Sequence, residues 1–185
     1  MKMPTRESIS KCSSMLNARV LVFIAVLGIT SLFLFGECLA DSHSASHAMP
    51  SEHQEMIHEM GHEVMPFDMS KTLHIFEMTE GGGIQQVISK APDDVAQITL
   101  IQQHLQHEAV KFSNGDFSDP SSLHGAQMPG LKELAAGAAK IKIEYSPLSN
   151  GAQITFTTHD IHLITAIHRW FGAQLSDHGA DATYR

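Results

Sequence analysis

Cysteine is close to absent. The 185 residues include two, Cys12 and Cys38, and both lie in an N-terminal segment whose pattern marks it for removal. No disulfide would then hold the remaining chain, and thiolate chemistry is excluded. An exported domain of that kind depends on its core or on metal. Basic residues are also scarce, 12 Lys and Arg against 20 Asp and Glu. Without the first 40 residues the counts become 8 and 18, a formal charge of −10, which argues against a nucleic-acid partner. Catalytic signatures are thin: there is no Gly-rich phosphate loop and no Gly-x-Ser-x-Gly elbow, and a His-Glu-x-x-His zinc helix is not expected.

What is present begins with an export pattern. Lys2, Arg6, Lys11 and Arg19 precede an apolar run from Val20 to Phe35, broken by Gly28, Thr30 and Ser31, and Cys38-Leu39-Ala40 offers small residues for cleavage. Residues 1–40 read as a signal peptide removed after Ala40, which places the protein in the periplasm. The alternative is an uncleaved anchor, since the apolar run falls just short of a span; the membrane is then touched through that segment alone.

From Asp41 to about Met69 histidine and methionine alternate. His43, His47, His53, His58 and His62 stand among Met49, Met56, Met60, Met65 and Met69, with few of the large side chains a core needs. The stretch is expected as a flexible tail whose centre, Ser51 to Gly61, can form a short capped helix with His58 and His62 one turn apart. Imidazole and thioether without thiolate suit copper: methionine sulfur favours Cu(I), and histidine nitrogen serves Cu(II) and zinc.

The rest, residues 70–180, predicts an α+β domain of two hairpin-helix units. Thr72 to Met78 alternates as a strand, Glu80 to Gly83 turns, and Ile84 to Ser89 returns. Asp93 or Asp94 then caps a helix whose stripe, Val95, Ile98, Ile101, Leu105, Ala109 and Phe112, ends at Asn114-Gly115. Asp116 to Pro129 shows no period and reads as a loop, followed by a short helix over Gly130 to Ala139. Lys140 to Tyr145 and Ala152 to Thr158 form a second hairpin, and a second helix runs from Asp160 to about Ser176, after which the chain is expected to fray. The two helices begin alike: Asp94 to Leu105 lies over Asp160 to Phe171 without gaps, sharing the Asp, an Ile-Thr pair and a later Ile. One such unit cannot bury both its sheet face and its helix stripe, so the pair is expected to close on itself about a pseudo-twofold, an antiparallel sheet packed on helices.

Periodicity also sorts the domain histidines. At about 100° per residue His107 and His162 face away from their stripes, whereas His168 lies within one, and His178 too if the helix lasts that far. His104 and Glu108 stand one turn apart beside the first stripe and can share an ion or a hydrogen bond. An ordered metal site is therefore expected from His74, His104, Glu108, His124, Met128 and His168. Each histidine taken singly is more readily a buried ring satisfied by a carbonyl or carboxylate.

Gly115-Asp116-Phe117-Ser118-Asp119-Pro120, His124-Gly125, Met128-Pro129-Gly130, Ile167-His168-Arg169-Trp170-Phe171 and Asp177-His178-Gly179 carry a resemblance. Over Met65 to Gly179 the chain resembles a family of small exported bacterial proteins of uncharacterised function, some labelled aspartate carbamoyltransferase. The resemblance implies that His74, His104, His124, His168 and His178 match the family's histidine positions. No Ser-Thr-Arg-Thr type phosphate run is present and the chain is too short for that enzyme's two domains, so carbamoyl transfer is not expected.

The expected function is periplasmic binding of copper, or another transition metal, for buffering, delivery or tolerance, with a metalloprotein or transporter as recipient. The alternatives are a small zinc- or haem-dependent enzyme using the domain histidines, and an adaptor that holds no ion.

Overall fold

The computed structural model describes residues 51–185. The expected leader over residues 1–40 and the ligand candidates His43, His47 and Met49 fall outside them. The architecture is α+β. Five strands, β1 (Thr72–Thr79), β2 (Gly82–Ser89), β3 (Lys142–Leu148), β4 (Gly151–Thr157) and β5 (Ala182–Tyr184), make one mixed sheet in the order β3-β4-β2-β1-β5. Five helices accompany it: α1 (Glu52–Val64), α2 (Val95–Ser113), α3 (Ser118–His124), α4 (Leu131–Gly137) and α5 (Ile161–His178). None is long and apolar enough to cross a membrane, among the described residues.

Alternation in the strands decides which side is covered. His74 lies opposite Val87 and Phe76 opposite Gln85 across the first hairpin, and Gln85 in turn faces Ile154 on β4. These residues share one face because successive side chains in a strand point to opposite sides. The two hairpins meet through the antiparallel β2–β4 pair. Helix α2 packs on β3 and β4, and α5 on β2 and β1. Each long helix thus covers the hairpin of the other unit, and the β3-β4-β2-β1 order is unchanged when the units are exchanged.

The core between sheet and helices is centred on Trp170, fully buried. Phe112, Phe117, Phe156 and Phe171 surround its indole at ring-centroid separations of 5.6–5.7 Å, within the range where aromatic pairs add to simple area burial. Caps set the helix starts: Asp94 Oδ1 accepts from Gln97 N at 3.1 Å and Asp160 Oδ1 from His162 N at 3.1 Å, each offsetting an unpaired N–H of the first turn.

Three expectations are corrected. Asp116 to Pro129 contains a helix, α3, which escapes periodicity because it is two turns long and Pro120, tolerated in a first turn, reads as a breaker. The C-terminus does not fray: the chain turns after α5, and β5 pairs in parallel with β1, Ala182 opposite His74. The third concerns the tail, which from Ser51 onward belongs to the fold. Ser51 and Gln54 form a reciprocal capping box, Ile57 is 1% exposed, and Gln54 Nε2 donates to the Ser176 carbonyl at 2.9 Å. Gly61 lets the helix approach the segment that follows it, since a Cβ there would run into the Met69 side chain. Composition concealed this because docking rests on a single isoleucine.

Replacing Ile57 by Ala therefore removes the main anchor of α1. A loss of about 2–5 kcal/mol is expected if the helix unfolds with the domain. Amide exchange over residues 51–65 should accelerate beyond that of α2; unchanged exchange there would show that α1 is held by something else.

Candidate functional site

The face that the helices cover is not wholly apolar. Between the sheet, α2, α3 and α5 lies a cavity whose volume open to the centre of a water molecule is about 30 Å³, enough for about two waters. His74 reaches it from β1, Gln85 from β2, His104 and Glu108 from α2, Asp119 and His124 from α3, and Trp170 and Gln174 from α5; Phe67, just after α1, lines it as well. His104 and Glu108 arrive together because they stand one turn apart on the flank of the α2 stripe.

Four of these residues carry a buried polar atom with no protein partner. Both ring nitrogens of His74, Oε1 of Gln85, Oε1 of Glu108 and Nε1 of Trp170 are buried without a hydrogen bond; both ring nitrogens of His178 are too, but His178 lines a neighbouring groove and not this cavity. Buried polar atoms are satisfied in the great majority of cases, and each exception costs about 1–3 kcal/mol. A cluster of exceptions around one cavity marks a place that something polar or coordinating fills. The His178 ring stacks on His74 with centroids 4.5 Å apart and planes 11° from parallel, and stands 5.0 Å from His124 nearly at right angles.

Desolvation governs the charges. Burial pushes His74 and His104 down to about 4, so both rings are neutral near pH 7. His178 is pushed well down by the same burial, with the adjoining imidazoles adding to it. His124 is lowered by burial against the opposing pull of Asp177. Burial raises the Glu108 carboxyl to about 8, and its hydrogen bond to Asp119 adds to the rise. Glu108 thus keeps its proton near pH 7, while Oδ1 of Asp119 takes Lys111 Nζ at 2.6 Å. The Nδ1 of His124 lies 2.9 Å from Asp177 Oδ2. A carboxylate can only accept, so Nδ1 carries the proton and Nε2 keeps a free lone pair.

Of the expected ordered site, His74, His104, Glu108 and His124 are brought to one cavity. Met128 is buried in the core and lines an open depression on the far side of His124, with His53 and Asp177. The expectation for His168 is corrected. Its Nε2 sits 3.0 Å from the Thr79 carbonyl and 2.8 Å from that of Gly82, so the ring clamps the β1–β2 turn to α5. Among the described residues no group of three or more His, Cys, Asp or Glu side chains converges to hold a metal ion. The stacking explains why for His74 and His178, since parallel rings direct their lone pairs side by side instead of at a common point.

The ligand candidates on α1 lie outside the cavity. His53 Nε2 is 3.3 Å from Asp177 Oδ1, so Asp177 stands between two imidazoles. His58 Nδ1 is 3.8 Å from Asp181 Oδ2, and the rings of His58 and His62 are 5.6 Å apart. Met56 is exposed and Met60 half-buried. Helix α1 also corrects the motif reading: His58-Glu59-Met60-Gly61-His62 has the His-Glu-x-x-His spacing, on a helix. Periodicity had placed His178 on the α5 stripe, and its one-turn spacing from Gln174 is the signal that sets both at one end of the site. Gln85, Asp119 and Asp177 had no such signal, because strand facing, α3 and the α5 C-terminus had to be in place first.

Comparison with family models, with curated proteins and with solved structures finds no match for this chain.

These shifts give stability a defined pH dependence. Between pH 4.5 and about 8 the unfolded chain releases the Glu108 proton that the folded chain retains, so this group removes stability as pH rises through that window. Between pH 6.5 and about 4 the unfolded chain takes up protons on His74 and His104 that the folded chain refuses, so stability also falls as pH drops. The Glu108→Gln variant should gain in urea midpoint over the parent at pH 9 and show no gain at pH 4. Equal differences at both pH values would place the ionised carboxylate in the fold.

Proposed function

We propose that the protein binds a transition-metal ion, copper first, in an exported compartment, and serves its buffering, delivery or tolerance. One observation carries this reading: His74, His104 and His124 reach a single buried cavity as neutral rings, with lone pairs free of protein partners for His74 and for Nε2 of His124. Neutral imidazole is the form that ligates, and borderline metals such as copper and zinc prefer it. The Asp177 bond to Nδ1 of His124 adds support, because metal-bound histidines commonly donate their second ring N–H to a carboxylate. The donors do not converge as they stand, so binding turns the His74 or His124 ring about its side-chain torsions. A metalloprotein or transporter of the same compartment would receive the ion. The histidines and methionines of α1 would meet it first.

Haem fits poorly, since a cavity with room for about two waters is far too small for a porphyrin. A second reading, a small zinc-dependent enzyme, is favoured by Glu108, a buried carboxyl that holds a proton near neutral pH and leaves one oxygen open to the cavity. Elemental analysis of protein taken from its native compartment separates the two when read with a hydrolytic assay: copper supports buffering or delivery, whereas zinc together with turnover that Glu108→Gln abolishes supports the enzyme.

Trp170 is the single tryptophan of the chain and lines the cavity, so its fluorescence reports filling. Titration with Cu(I) against a chromophoric chelator is expected to show one tight equivalent that quenches Trp170. His104→Gln, at a half-buried position, should weaken that equivalent at least about tenfold while leaving the fold intact, and His74→Gln should abolish it. Wild-type protein that takes up no copper, or that binds it without any change in Trp170 emission, would overturn the assignment.

A further inference from the structure

A second place in the molecule gathers metal-type donors outside the cavity. Helix α1 crosses the C-terminal end of α5 and leaves a groove of about 390 Å³ lined by Glu55, His58, Glu59, Asp177, His178 and Asp181. Its walls carry carboxylates and imidazoles. Lys90 is bound to Asp181 Oδ1 at 3.0 Å. His178 projects here as well as onto His74, 7% exposed and with neither nitrogen bonded, which independently points to a ligand.

On α1 the His58–His62 pair is spaced by one helical turn, which sets two side chains on one face within about 5–6 Å at Cβ. The His58 Nδ1–Asp181 Oδ2 distance is 3.8 Å. The three side chains do not converge as they stand; two donors on one tetrahedral ion with bonds of about 2.0–2.1 Å lie about 3.3 Å apart, so the half-buried His58 and the exposed His62 turn about their side-chain torsions to meet Asp181 on one ion. Capping by Ser51 and docking through Ile57 hold the helix that presents the pair.

We infer that His58, His62 and Asp181 form a surface site for a zinc-class or Cu(II)-class divalent cation, with the groove beside them housing the ion's remaining water ligands. The site is separate from the cavity, and its placement next to His178 makes it the point from which an ion reaches the inner rings; that last step rests on the cavity reading above. Carboxylate and imidazole donors at an exposed position favour the divalent ion, whereas the inner rings His74, His104 and His124 are desolvated neutral imidazoles beside a carboxyl, Glu108, that keeps its proton near pH 7. Binding also displaces Lys90 from Asp181 or shares the carboxylate with it.

The test uses the whole chain with zinc chloride or copper(II) chloride as probe, measured by calorimetry and by Trp170 emission. A divalent equivalent that leaves Trp170 emission unchanged is expected, together with slower amide exchange across residues 52–64, because a chelate one turn long pins the helix. In the double variant His58→Gln/His62→Gln this equivalent disappears while Cu(I) quenching of Trp170 persists. Asp181→Asn should weaken it at least about tenfold. Divalent binding of the same strength in the double variant would overturn the surface site and leave the cavity reading standing. Loss of Cu(I) quenching in the His74 and His104 variants, with the divalent equivalent intact, would establish the two sites as independent. If the wild type shows no divalent binding outside the cavity, the inference fails by itself.

Discussion

Removal of water from imidazole and carboxyl groups is the constraint on which the rest of the structure depends. Beside an aromatic core centred on Trp170, His74 and His178 stack within van der Waals distance, and a charge on either would be exposed to little solvent and to the other ring. The fold therefore keeps these rings neutral, and it keeps Glu108 protonated by the same means. Charged partners are confined to the margin, where Lys111 meets Asp119 and Asp177 meets both His53 and His124. The inner donors are left uncharged and unpaired, the condition in which they can coordinate.

This arrangement costs stability, and the architecture around it offsets the cost. Two long helices each cover the hairpin of the other unit, closing a core whose aromatic rings meet at 4.6–6.1 Å. His168 holds the tight first turn to α5 through two carbonyls, and Gln97 ties the start of α2 to the Asp68 backbone in both directions, at 3.2 Å each way. With no cysteine in the described residues, such polar clasps and the packed core hold them together without disulfides.

Much of the frame was legible because it follows from local chemistry. Alternation marked both hairpins, and Asp94 and Asp160 announced the starts of α2 and α5. The lone turn between His104 and Glu108 placed them together on α2, as they are. The misses share a physical cause: each depended on a contact distant in sequence. Helix α3 is too short for a period to emerge, β5 is three residues whose pairing exists only because β1 lies beside it, and α1 docks through Ile57 onto surfaces that form elsewhere. His168 illustrates the limit most clearly. Its position in the apolar stripe of α5 was readable, but whether its nitrogen would meet a cavity or the carbonyls of Thr79 and Gly82 was settled by where the β1–β2 turn came to rest.

What the sequence determined by itself was the inventory and the local geometry: neutral-capable imidazoles and thioethers in place of thiols, two capped amphipathic helices, two hairpins, and one-turn spacings that fix pairs of side chains on a helix face. These depend on neighbours within a few residues, whose relation the backbone period dictates. The tertiary structure alone decided which rings lose their water, which find a carbonyl or a carboxylate, and that His74, His104 and His124 share a cavity with His178 stacked against it. Desolvation and convergence are properties of chain segments more than a hundred residues apart, from β1 to the end of α5, and no local rule carries that information.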